Sequence, residues 1–168
     1  TELKTKIYLF QGLPKSDKME LIIQKSVELG VSGIIPVEMS RSVVKLDGKK
    51  KVSKQSRWQS IAESAAKQSK RNTIPKVFDV VNYKQALDMA SEFDMIIVPY
   101  ECKEGMVATK NAINQLKSCK SVGILIGPEG GFEPKEIELA ERNGGKIISL
   151  GKRILRTETA AITAVGMC

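Results

Sequence analysis

Two stretches of the chain hold residue types that could do chemistry together. The apolar run Val122-Gly123-Ile124-Leu125-Ile126 opens directly into Gly127-Pro128-Glu129-Gly130-Gly131-Phe132, and a second run ending at Leu150 opens into Gly151-Lys152-Arg153-Ile154-Leu155-Arg156-Thr157-Glu158-Thr159-Ala160-Ala161. Each reads as a strand end, a glycine-bearing turn and a helix start, where backbone can approach a ligand that side chains would block. Neither is a phosphate loop, which needs Lys and Ser/Thr after its glycines, and neither spells the G-x-G-x-x-G of a dinucleotide site. The first loop alone is an ordinary turn; the second loop gives it weight. Thr157 reads as an N-cap with Glu158 in the first helical turn, yet Arg156 stands just before it, where the electropositive helix end gives a cation little support. An anionic partner for Arg156 is the expectation.

The chemistry available is narrow. The chain has no histidine, the commonest metal ligand and neutral-pH base. Its three cysteines, Cys102, Cys119 and Cys168, are an odd number at wide spacing with no C-x-x-C pair, which points to a reducing cytoplasm and no metal site. Apolar stretches such as Met95 to Tyr100 are far too short to span a bilayer, so no membrane is expected. At 168 residues and 42% hydrophobic composition one folded domain over residues 1–168 is expected, and a start at Thr1 without Met reads as a piece of a longer protein.

The elements that must position the two loops alternate. Strands are expected at Lys6 to Gln11, Gly33 to Met39, Pro75 to Val80, Asp94 to Tyr100, Val122 to Ile126 and Lys146 to Leu150. Helices are expected from about Ser16, as N-cap, to Gly30, from Ser53 through the basic segment, over Tyr83 to Ser91, Val107 to Leu116 and Pro134 to Asn143, and from Thr157 to the end. This is an α/β pattern: a mostly parallel sheet with helices on both faces and a ligand at the carboxyl ends of its strands.

The net charge of +8 is concentrated in one segment. Residues 41–71 carry ten Lys/Arg and two Asp/Glu, while residues 1–40 carry five of each and residues 72–168 twelve of each. Such density attracts a polyanion through counterion release, and nucleic acid is the obvious one. Lys49 to Lys51 read equally well as a solvated loop. In the helix that follows, Trp58, Ile61, Ala62 and Ala65 form an apolar stripe, with Trp58 a core anchor, while Arg57, Ser60, Ser64, Lys67 and Arg71 recur at steps of three and four on another face.

Taken together, Ile126 to Phe132 and Leu150 to Ala160 closely resemble the paired cofactor motifs of the ribosomal RNA small subunit methyltransferase E family, uridine-N3 methyltransferases of the SPOUT superfamily. The resemblance extends to Lys18-Met19-Glu20, Gln24 to Val31, Arg41, Gln68 to Asn72 and Pro75; Lys67 departs from it, standing where Glu is expected. It implies a SPOUT-type α/β domain with a C-terminal trefoil knot, without the family's N-terminal RNA-binding β-barrel. It implies an S-adenosylmethionine site in which backbone groups of Leu150, Ile154, Leu155 and Ala160 hold the adenine. Gly127, Glu129, Gly130 and Gly131 then line the other side, with Pro99, Pro128, Gly151, Arg156 and Thr159 in the same site. Arg41, Arg57, Lys67, Gln68 and Arg71 would contact RNA. The implied partners are ribosomal RNA of the small subunit and a second copy of the chain, in the cytoplasm.

Methylation at uridine N3 requires loss of the imide proton, and a cation beside the carbonyl oxygens lowers that cost. Arg156, or Arg71 from a partner subunit, is placed in that role, with Glu129 or Glu158 as the proton acceptor. Two other readings stay open: ribose 2′-O methylation on the same fold, and a non-enzymatic RNA-binding module.

Overall fold

The computed structural model describes residues 2–100 and 105–168; Cys102 lies outside the described residues. Strand β1 (Lys6–Gly12) leads into helix α1 (Lys18–Glu28), then β2 (Gly33–Glu38) and the long α2 (Gly48–Gln68). Two short strands, β3 (Lys76–Val77) and β4 (Val81–Asn82), precede α3 (Tyr83–Ala90), β5 (Met95–Pro99) and α4 (Met106–Leu116). The chain closes with β6 (Ser121–Ile126), α5 (Pro134–Arg142), β7 (Gly145–Ile148) and α6 (Thr157–Met167).

All pairings are parallel, in the order β3-β2-β1-β6-β5-β7 with β4 also on β2. Parallel strands need helical crossovers, and these cover both faces. Alternation along β5 makes this visible: Met95 and Ile97 face the core shared with α1, α2, α4 and α6, while Ile96 and Val98 face the core under α3 and α5. Trp58 anchors α2 on the first of these faces at 4% exposure.

The structure corrects the sequence reading at four helix ends. Ser16 is not the cap of α1: it sits at φ 54° and Asp17 precedes the helix. Lys49 to Lys51 are not loop but the first turn of α2, capped by the Asp47 carboxylate, which accepts from the Lys50 N–H at 2.8 Å. Arg71 is not on the polar face of α2. Lys70 turns left-handed at φ 55°, and the Arg71 N–H closes onto the Ala66 carbonyl in the wrap that ends many helices. Thr157, expected as N-cap of α6, is its first helical residue, with Arg156 at the cap position.

Strand order sets where a ligand can lie. Strand β1 is flanked by β2, its successor, and by β6, which arrives late in the chain, so the connections diverge there and open a crevice at the carboxyl ends. The segment 149–156 must then return from β7, at the sheet edge, to α6, which packs on α1, β1 and β6. At about 4.8 Å per strand this path crosses roughly 14 Å over the ends of β5 and β6.

Candidate active site

The crevice holds a cavity of about 920 Å³, the size that takes a cofactor or drug-sized molecule. Its walls come from the carboxyl ends of three strands: Pro99 and Tyr100 after β5, Ile126 to Glu129 after β6, and Ser149 to Arg156 after β7. The two glycine-bearing loops therefore meet across one space. The apolar walls Ile126, Phe132, Leu150, Leu155 and Ala160 suit a flat heteroaromatic ring, and the loops offer backbone donors and acceptors.

The glycines make the approach possible. A Cβ on Gly127 would press on the Gly131 backbone at 3.2 Å, and Gly131 itself takes φ 69°, its N–H bonded to the Pro128 carbonyl at 2.9 Å. Gly12, at the end of β1, lets Pro128 pack directly on the strand: an added Cβ would lie 2.7 Å from the proline nitrogen.

Charge at the rim is organised around Lys18, in the first turn of α1. Its ammonium lies 3.1 Å from Glu129 Oε1 and 3.7 Å from Glu158 Oε2. The Glu129 carboxylate also accepts from the Lys15 N–H at 2.9 Å. Partial burial pushes this carboxyl up, but the Lys15 N–H, its own backbone and the Lys18 ammonium together hold it below its ordinary value. Glu158 differs: its Oε2 is buried and accepts no hydrogen bond among the described residues. Arg156, Lys152 and Arg153 line the same cavity, and among the described residues none of them forms a salt bridge.

Of the residues expected at a cofactor, the cavity brings together Pro99, Gly127, Pro128, Glu129, Gly131, Leu150, Gly151, Ile154, Leu155, Arg156 and Ala160. Gly130 and Thr159 are not on its wall; Gly130 instead packs against Arg41, whose guanidinium donates to the Gly130 carbonyl at 3.2 Å. Glu158 touches the site through Lys18.

The cations assigned to RNA divide between two ends of the molecule. Arg41 sits beside the first loop, and Lys51 reaches Glu38 at the end of β2. Arg57 is paired with Glu20 of α1 at 2.6 Å, which raises its pKa above the ordinary arginine value. Lys67 and Gln68 are exposed at the opposite end of α2, about 24 Å from Lys51 at 1.5 Å per residue. Arg71 lies there too, largely buried, bonded to the Val27 and Val31 carbonyls at 3.2 and 2.6 Å and to Glu2 at 2.5 Å. Its guanidinium holds the Glu2 carboxyl down at about 2.

The sequence assigned no site role to Lys18, Tyr100 or Gln11, placed Phe132 only as the end of a motif, and read Thr157 only as a helix cap. Lys18 stood in a quoted motif, but its proximity to Glu129 and Glu158 is a tertiary fact. Gln11 carried a signal in the sequence: an amide inside the apolar run Ile7 to Gly12. It is fully buried, and its Nε2 donates to the Thr157 hydroxyl and to the Gly12 carbonyl, each at 2.9 Å.

Known proteins match this arrangement. A family model described as RNA methyltransferase domain matches residues 1–168. The ribosomal RNA small subunit methyltransferase E of Bacillus subtilis is 46% identical over 167 residues, covering 98% of this chain and 65% of that protein. Its counterpart from Mesomycoplasma hyopneumoniae is 41% identical, covering 99% of this chain and 70% of that protein. A crystal structure of a ribosomal RNA small subunit methyltransferase E from Neisseria gonorrhoeae bound to S-adenosyl methionine matches with a TM-score of 0.84 at 36% identity. It covers 98% of this chain and 65% of that one, so the chain spans about 65% of the length of two of these three relatives.

Proposed function

Because the chain belongs to the ribosomal RNA small subunit methyltransferase E family of RNA methyltransferase domains, we propose that it methylates N3 of a uridine in small-subunit ribosomal RNA, using S-adenosylmethionine. The observation that carries this reading is the single cavity walled by both glycine loops. The residues present fit the cofactor: apolar walls for adenine, backbone polar groups around it, and glycines at 127 and 131 that fold the first loop tightly enough to leave the space open. When bound, S-adenosylmethionine supplies a methyl group on a sulfonium, an activated donor that needs no metal.

The chain's own residues do the rest. Arg156, at the cavity wall and without a salt bridge among the described residues, faces the negative charge that spreads onto the uracil carbonyl oxygens as the N3 proton leaves. Arg71 does not serve this role, because its guanidinium is committed to Glu2 and two carbonyls. Glu158, whose Oε2 accepts no hydrogen bond among the described residues and lies 3.7 Å from the Lys18 ammonium at the cavity wall, takes the proton. Glu129 is the poorer acceptor, since Lys15 and Lys18 already occupy its carboxylate and hold it ionised.

Ribosomal RNA approaches over Arg41 and the start of α2. Three lysines in the first turn of a helix meet an unfavourable dipole, which a phosphate backbone relieves. The path of 149–156 across the ends of β5 and β6 supports a trefoil knot closing around the 127–132 loop. Exposed apolar side chains at the mouth of the cavity, Ile154 at 90% and Met106 at 47%, support a homodimer that covers them. The working compartment is the cytoplasm, because the proposed substrate is ribosomal RNA. Separately, no helix among the described residues is long and apolar enough to cross a membrane.

The test is methyl transfer from labelled S-adenosylmethionine to small ribosomal subunits lacking the modification, with the product nucleoside identified by mass spectrometry. The expected product is 3-methyluridine. A 2′-O-methyl nucleoside would transfer the reading to the ribose, and no product with cofactor bound would leave an RNA-binding module.

A further inference from the structure

Beneath the cavity, β1 ends in two consecutive residues that each hold one of the glycine loops. Gly12 leaves room for Pro128 to lie against the strand. Gln11, on the other face, donates to Thr157 Oγ1 at 2.9 Å, and that hydroxyl donates onward to the Gly127 carbonyl at 2.6 Å. Thr157 opens α6 and Gly127 follows β6, so this amide and hydroxyl tie the second loop to the first through the central strand. Gln11 does not line the cavity, and Thr157 does.

Stability does not explain the amide. Gln11 is 0% exposed, shares its face of β1 with Ile7 and Leu9, and its Oε1 is buried with no partner among the described residues. An acceptor stripped of water and left unpaired weighs against folding, whereas an apolar side chain of like volume carries no such cost. The residue best suited to this place for packing alone would be Met or Leu. Its Nε2, by contrast, fixes which way the Thr157 hydroxyl points, because a hydroxyl that accepts from the amide must spend its one proton on Gly127.

We propose that Gln11 and Thr157 form a buried clamp that sets the separation of the two cofactor loops, with Gln11 a positioning residue that acts on the cofactor only through Thr157. The proposal rests on the reading of this cavity as the S-adenosylmethionine site. A loop displaced by a fraction of an ångström loses contacts made by rigid backbone groups, so the effect falls on cofactor affinity rather than on folding.

The experiment measures calorimetric affinity for S-adenosylhomocysteine together with thermal midpoint, on the full chain. Wild-type binding is established first; its absence would overturn the cavity reading itself. Given binding, Gln11→Met is expected to keep or raise the midpoint while weakening affinity about tenfold. Thr157→Val weakens it about tenfold, Thr157→Ser restores most of that loss, and the double variant Gln11→Met/Thr157→Val loses about tenfold rather than a hundredfold, the mark of one shared interaction. Wild-type affinity in a folded Gln11→Met protein, or a hundredfold loss in the double variant, would overturn the clamp.

Discussion

Helix α1 runs between two arginines that the sequence marks alike and the structure treats in opposite ways. At its start Arg156 faces a cavity and forms no salt bridge among the described residues. At its other end, about 14 Å away at 1.5 Å per residue, Arg71 is 7% exposed and spends its donors on Glu2, Val27 and Val31. A guanidinium that spends four of its five donors inside the fold stabilises that fold. One left unpaired at a concave surface is available to a substrate. Motif membership does not separate the two; hydrogen-bond accounting does.

The largest test of this contrast is Arg156→Ala. It should leave the thermal midpoint within a few degrees and lower single-turnover methyl transfer by roughly 100-fold or more, the loss typical of removing one group that stabilises developing charge. Arg71→Ala should do the reverse. It takes the side-chain donor from the Val31 carbonyl and the cation from Glu2, while the Gly30 N–H still serves Val27 and the Thr73 N–H still serves Glu2; the cost is about 2 kcal/mol of stability, read by urea denaturation, while affinity for S-adenosylhomocysteine in the folded fraction stays within twofold.

Between the two rim carboxylates, Glu158→Gln should reduce kcat about 100-fold, the lower end of what a positioned acid–base group contributes, and Glu129→Gln distinctly less; equal losses would remove the distinction drawn from their partners. A smaller effect appears in acid. The Glu2 carboxyl, at about 2 against an ordinary 4.5, contributes stability that is fully present above 4.5 and is lost as pH falls toward 2. The stability gap between wild type and Glu2→Gln should therefore be constant at neutral pH and narrow through that window. Smallest is Lys49→Ala/Lys50→Ala, expected to lower the salt slope of ribosomal RNA binding by about two, with Lys67→Ala changing it little.

The alternation of strands and helices was legible because each crossover is a local event. The apolar run Met95 to Val98 between polar flanks announced a strand covered on both faces, and Pro134 announced the start of α5. The cavity wall was legible for the same reason, since both loops follow strands that a parallel sheet must align. What the sequence hid were facts of closure. Nothing local tells that Lys18 falls between Glu129 and Glu158, residues more than a hundred positions away. Periodicity placed Arg71 on the face of Arg57 because it assumes the helix continues; the left-handed turn at Lys70 removed it. Cations were read by density and helical spacing, neither of which can tell Arg57, paired with Glu20, from an unpaired neighbour.

Residues 127–131 and 150–160 jointly build one adenosyl-binding space in the proposed function. Backbone amide shift mapping during titration with S-adenosylhomocysteine tests it most directly. Saturable one-to-one binding is expected, with both segments perturbed together at the same ligand concentration. Perturbation of only one segment, or of neither, would contradict it.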